Sequence, residues 1–205
     1  WRDPMFLPLA FGWIGLVYDA TRLSQPPVSW PEIAAAGPNA LKIAIDDPRV
    51  SANGLDAVLW LRATQKDKAG AVWAKARPKI VVTASRAETL AKLEAGEVDL
   101  ALASFSWPAR RAIAEGTQRF SPAPFREGQF LQVETAAILK SAGHPQIAAA
   151  FLAYLANAEA QALIAPRRGL YPVNPAVQLP EAFGRLKLPS ASVTLDGETV
   201  EAQRG

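Results

Sequence analysis

The chain has 205 residues, half of them hydrophobic, with 22 basic against 19 acidic side chains and no cysteine. That apolar content suffices for one large domain or two small lobes, while the lack of cysteine excludes disulfides, thiolate metal sites and cysteine nucleophiles. A net charge of +3 without a long basic run lacks the electrostatic footprint of a nucleic-acid-binding protein, so no nucleic-acid partner is expected.

Residues 6–17 form an apolar run interrupted by Pro8, Gly12 and Gly15. It falls short of the roughly 20 residues a membrane-crossing helix needs, and we read it as buried strand, strongest over 14–18. The start has neither a basic stretch nor a small-residue cleavage site, so no secretory leader is expected within the chain. Opening at Trp1 rather than Met, the sequence reads as processed, trimmed or cut from something longer. Pro26, Pro27 and Pro31 make the next segment an extended connector, with Ser29 placed to cap a short helix that starts at Pro31. A strand is predicted over 41–45 and a helix opening at 51–53, with Leu55, Val58 and Leu59 facing a core. A second helical piece is predicted over 69–76.

Residues 79–83 read as a short strand. Ser85 and Glu88 have the spacing of a capping box, after which Leu90 and Leu93 face inward and Gly96 closes the helix. A compact strand follows over 98–103, then a helix over 112–118 and a long strand over 129–139. Pro145 suits the first turn of a helix running to about residue 164, with Ile147, Phe151, Tyr154 and Leu155 on its buried side. From Pro166 the chain is Pro-rich and predicts an extended surface wrap. Strands alternating with helices predict an α/β fold with a mostly parallel sheet and helices on its faces.

Most reaction chemistry is missing. No P-loop, GxGxxG or HExxH occurs. The single histidine, His144, lies just before a predicted helix, with no nucleophile elbow to serve. Asp46 and Asp47 are read as closing a strand and tying down its turn. The informative place is the junction after that strand, where Ser51, Ala52, Asn53 and Gly54 open a helix. Free amides at the positive end of a helix dipole hold an anion without any catalytic side chain. Trp107 follows a predicted strand, where open α/β sheets place ligands; it serves either as a stacking face or as packing, and so does Trp13. No cofactor is expected.

Four segments carry a resemblance: FLPLAFGWIGLVYDATRL, DDPRVSANGLDAVLW, GEVDL at 96–100, and EGQFLQVETAAIL with the later GLYPVNPAVQLPEAF. In order and content they resemble the substrate-binding proteins of bacterial thiamine ABC transporters, two-lobed periplasmic proteins. The resemblance implies a periplasmic-binding-protein-like (type II) two-lobed fold with one lobe complete and the other partial, since the family's N-terminal third has no counterpart. It divides the chain into a crossing strand region (1–18), a second lobe (19–110), and a return crossing with a partial first lobe (111–205). A lobe lacking that third is expected to expose apolar surface. The resemblance also implies a periplasmic location, a small-molecule ligand and ABC permease subunits of the inner membrane as partners. The family's aromatic ligand positions fall on Arg86, Ser104, Arg110 and Gly169, and its acid on Ala10. Arginine offers a cation no π face, so the resemblance and these replacements together favour a phosphate ester of thiamine or another small anion over thiamine itself. The expected binding residues are Trp13, Ser51, Ala52, Asn53, Gly54, Arg86, Ser104, Trp107 and Arg110. Two alternatives remain: an α/β enzyme acting on a phosphorylated metabolite, with Asp46, Asp47 or Glu134 supplying acid–base chemistry, and a degenerate lobe that binds nothing.

Overall fold

A computed structural model describes residues 5–195. Trp1 and the last ten residues lie outside the described part, as do the outer ends of the first and last predicted regions. Strand β1 (Leu7–Asp19) is the spine of one eight-stranded sheet ordered β3-β2-β4-β1-β6-β8, with β5 and β7 also paired to β1. The other strands are β2 (Ile43–Asp46), β3 (Ile80–Thr83), β4 (Leu100–Ser104), β5 (Phe120–Pro122), β6 (Gln129–Ala136), β7 (Tyr171–Pro172) and β8 (Ser192–Val193). The helices are α1 (Trp30–Ala35), α2 (Ala52–Gln65), α3 (Ala69–Ala76), α4 (Arg86–Glu94), α5 (Trp107–Glu115), α6 (Pro145–Leu155), α7 (Ala158–Arg168) and the single turn α8 (Glu181–Gly184).

The sheet is mixed rather than mostly parallel. β2 runs parallel to β3 and β4, as strand–helix–strand units demand. β1, however, is antiparallel to β4, β5, β6 and β7. The Pro-rich connector after β1 returns the chain to the end of the sheet at which β1 finished, so β2 and β4 run against it. The C-terminal half of β1 pairs with β4 and its N-terminal half with β6 and β7, so this one strand passes from one part of the sheet to the other. Its residues are buried almost continuously from Ala10 to Val17, which explains an apolar run without alternation.

The main core lies between the sheet and α1–α3, where Trp30, Trp60 and Phe125 meet with ring centroids 4.6–5.8 Å apart. The predicted caps at Ser29 and Ser85 form, and Ser51 caps α2 likewise: each accepts the amide three residues on, while Glu88 accepts the Ala84 amide, one residue before the cap, rather than that of Ser85. Helix α5 starts five residues earlier than predicted, with Pro108 in its first turn.

The long helix predicted over 145–164 is two helices bent by 71°. Asn157 breaks it, because its side chain accepts the Ala160 amide at 2.8 Å and starts α7 afresh. The expected buried side of α6 is a correction as well: none of its residues is buried, and Ile147 and Phe151 are 68% and 58% exposed. Among the described residues this apolar helix is covered only in part, at Ala148, Leu152 and Leu155, in line with a lobe that is only partly present. Replacing Phe151 with serine is therefore expected to cost less than about 0.5 kcal/mol in urea unfolding. A loss near the ~3 kcal/mol of a buried Phe would mean that α6 packs onto something after all.

Candidate functional site

The site begins where β2 ends. The buried Asp46 carboxylate accepts hydrogen bonds from the hydroxyls of Ser51, at 3.0 Å, and Thr89. Asp47 accepts the Arg49 amide and its guanidinium, and those bonds hold its carboxyl down at about 2. Both acids tie down the turn. The Ser51 hydroxyl donates to Asp46 while accepting the Gly54 amide, so it has no donor left for an anionic guest. Gly54 is pressed against the turn: a Cβ there would lie 2.3 Å from the Asp46 carbonyl oxygen and 2.8 Å from the Pro48 nitrogen. The next two amides of α2, those of Ala52 and Asn53, have no acceptor among the described residues. This is the ordinary state of a first helical turn.

In front of them opens a cleft of about 490 Å³. Ala52, Asn53 and Asp56 of α2, Arg86 of α4 and Ser104 of β4 form one wall. Gln132 and Glu134 of β6, with Arg168 and Leu170, form the other. Arg86 donates to the buried Ser104 hydroxyl at 2.8 Å. Burial lowers the pKa of Arg86, the charge of Arg110 lowers it further, and Asp46 opposes both. It is a cation with too little compensation. Glu134 and Arg168 form an ion pair at 2.6 Å. Asp56 accepts a hydrogen bond from the Gln132 side chain across the cleft, and burial pushes its carboxyl up to about 6. A second cavity, of about 450 Å³, lies under residues 185–190 and includes none of these groups.

The structure thus brings Ala52, Asn53, Arg86 and Ser104 together on one wall. Ser51 and Gly54 shape that wall from behind. Arg110 is exposed and lies off the cleft, its Cδ 2.9 Å from where a Cβ at Gly169 would sit. Gly169 takes φ +71° as the residue that ends α7, a conformation glycine adopts without strain. Its bare face is covered by the Arg110 stem. The two tryptophans do not reach the cleft. Trp13 is buried among Phe11, Phe105 and Tyr171, and its Nε1 donates to Ser192 at 2.9 Å. Trp107 is buried against Phe120, with ring centroids 4.9 Å apart. Both are packing residues. The sequence reading missed Asp56, Gln132 and Arg168. One signal was available for Asp56: it is the only charged residue in the first ten positions of an otherwise apolar α2, one turn beyond Asn53.

With this geometry in hand, three comparisons place the chain. Its residues 3–188 match the family described as bacterial extracellular solute-binding protein. It is 33% identical over 205 residues to the thiamine-binding periplasmic protein of Salmonella typhimurium, covering 100% of this chain and 62% of that one. The Escherichia coli protein of the same name is 32% identical with the same coverage. A solved structure titled periplasmic thiamin binding protein superposes with a TM-score of 0.90 at 32% identity, over 100% of this chain and 64% of that one. The chain therefore spans somewhat under two thirds of the length of these relatives, and its mixed α/β sheet is the periplasmic-binding-protein architecture with one lobe partial. A match over nearly the whole sequence, a superposable fold and a polar cleft at a helix start all agree: the chain belongs to the bacterial extracellular solute-binding proteins.

Proposed function

We propose that this chain is the greater part of the periplasmic solute-capturing component of an ABC importer, and that its cleft takes a thiamine-like ligand carrying a phosphate or similar anionic group. The observation that carries the reading is the shared wall of the cleft, which Arg86, Ala52 and Asn53 line together, the last two with amides that have no acceptor among the described residues. An under-compensated guanidinium beside a first helical turn favours two or more negative oxygens, and Arg binds phosphate bidentately. The names of the relatives support the thiamine-like half of the ligand. Capture would close a second lobe over the ligand, excluding water and strengthening each polar contact, before hand-over to permease subunits in the inner membrane. No chemical step is required of any residue. Asp46 and Asp47 are committed to the turn and Glu134 to Arg168, so an acid–base pair for the enzyme alternative does not assemble from them.

None of the described tryptophans lines the cleft, so calorimetry is a better probe than indole emission. Titration with thiamine monophosphate is expected to give saturable heat without turnover. Arg86→Gln should weaken it by about 1.5–3 kcal/mol, the worth of a hydrogen bond to a charged group, which is roughly 10- to 100-fold in affinity. Heat from thiamine but not its phosphate would overturn the anionic preference. Product formation would point to an enzyme, and silence to a lobe that no longer binds.

A further inference from the structure

The inference concerns Asp56 and rests on the reading of the cleft as a solute site. Asp56 stands on the same wall as Arg86, one helical turn beyond Asn53. Its Oδ2 accepts from the Gln132 side chain, and among the described residues its Oδ1 accepts no hydrogen bond. The charged groups that share the cleft are Arg86 from α4, Glu134 from β6 and Arg168 from the end of α7. Glu134 and Arg168 neutralise each other. Arg86 is turned to Ser104, with the Asp46 charge behind it. None of these cations compensates Asp56, whose perturbation comes from burial, opposed only by the neutral Gln132 amide. At neutral pH the cleft therefore presents a half-buried carboxylate bonded to a neutral amide at one place and a half-buried guanidinium bonded to a neutral hydroxyl at another. A partly desolvated charge with no opposite charge beside it is stabilised by an opposite charge on a ligand.

We infer that Asp56 is a specificity-determining residue of the cleft: it accepts the cationic end of a small dipolar ligand whose anionic end meets Arg86 and the first turn of α2. It is not the acid that the thiamine-transporter resemblance implies, which falls on Ala10, buried in β1. The same placement makes capture sensitive to pH. A protonated Asp56 attracts a cation weakly, so affinity falls as the carboxyl gains its proton, and binding a cation near the midpoint expels that proton into solvent.

The test is calorimetry on the 205-residue chain and its Asp56→Asn variant, with thiamine monophosphate and inorganic phosphate as probes, at about pH 5 and about pH 7.5. For a group titrating at about 6, linkage gives the unaltered chain about a tenfold gain in thiamine monophosphate affinity over that interval. The variant should bind about tenfold more weakly at the higher pH and show little of the gain; comparison between the two chains cancels any titration of the ligand itself. Inorganic phosphate, with no cationic end, should bind the variant at least as well as the unaltered chain. Repeating the titration near pH 6 in buffers of different protonation heat should show proton release in the unaltered chain and none in the variant. Equal pH profiles for the two chains, or equal losses for both probes, would assign Asp56 a merely structural role and overturn the inference while leaving the solute site standing. Silence of both probes on the unaltered chain would remove the solute site and the inference with it. Urea unfolding guards against a folding artefact. Because burial raises this carboxyl above its ordinary 3.8, the unaltered chain loses stability as pH rises from about 4 through about 6, and Asp56→Asn should be the more stable of the two above that range.

Discussion

Replacing Gly54 with alanine is expected to destabilise the chain by about 2 kcal/mol or more and to weaken ligand capture at the same time. Alanine is worth up to about 1 kcal/mol over glycine inside a helix, so propensity alone predicts a gain. Packing decides otherwise. The added methyl would lie 2.3 Å from the Asp46 carbonyl oxygen, 2.8 Å from the Pro48 nitrogen and 2.9 Å from the Asp47 carbonyl carbon. All three are backbone atoms of one turn and cannot rotate aside as a flexible side chain would. Overpacking of this kind costs about 1–3 kcal/mol, and more where the surroundings are rigid. This turn is rigid, since Asp46 is tied to Ser51 and Thr89, and Asp47 to Arg49. Relief requires α2 to lift away from β2, which moves the Ala52 and Asn53 amides relative to Arg86. Urea unfolding measures the first effect. Titration with thiamine monophosphate below the unfolding transition measures the second, with an expected loss of tenfold or more for an anion site displaced by a fraction of an ångström. A Gly54→Ala chain as stable as the original would mean that the turn yields freely and that the helix start is not held in a fixed place.

Local structure was the legible part of this sequence, because its causes lie within a few residues of one another. Ser29, Ser51 and Ser85 each announce a helix start through a bond that spans three positions, and the structure has a helix at each. The direction of β1 was not legible. Its partners β4, β5 and β6 lie about a hundred residues away, and nothing in its own composition says which way they run. Helix α6 shows the same limit: its pattern marks Ile147 and Phe151 as inward-facing, yet inward requires a partner, and both positions stay exposed among the described residues. At the site, the sequence located the corner at residues 51–54 but not the division of labour within it. Ser51 and Gly54 turned out to face the turn because Asp46 bends back toward the helix, a contact that only the fold creates. Trp107, by its place after a strand, and Trp13, beside two glycines, each read as a stacking face or as packing. Whether an aromatic ring stacks on a ligand or on Phe105 and Phe120 depends on tertiary neighbours. Asp56 was passed over for a parallel reason: a lone acid on a helix is ordinarily solvated, and only the approach of Gln132 from β6 takes it out of water.

Trp60→Ala should be the most damaging single change within α2, costing about 3–5 kcal/mol for the lost packing. The side chain is fully buried, its ring centroid 5.1 Å from that of Trp30 and 4.6 Å from that of Phe125. Its Nε1 donates to the Gly128 carbonyl at 3.0 Å, and truncation leaves that buried acceptor unpaired, at roughly a further 1 kcal/mol. Against a total of about 5–15 kcal/mol for a domain, the sum removes roughly a quarter or more of the stability. Trp60→Phe separates the two contributions. It keeps most of the ring packing and loses the hydrogen bond, so a cost of about 1–2 kcal/mol is expected. The loss should also register at the cleft. Gly128 immediately precedes β6, and β6 carries Gln132 and Glu134 on the wall facing α2. Trp60 thus ties the helix that holds Asn53 and Asp56 to the strand that holds their counterparts, and its bond to Gly128 acts with the Gln132–Asp56 bond on how far apart the two walls stand. Urea unfolding with near-ultraviolet circular dichroism, which reports the Trp30–Trp60–Phe125 cluster directly, is the measurement that checks this. A Trp60→Ala chain retaining both its aromatic dichroism and its urea midpoint would show that the remaining contacts between α2 and β6, the Gln132–Asp56 hydrogen bond among them, suffice to hold the two together.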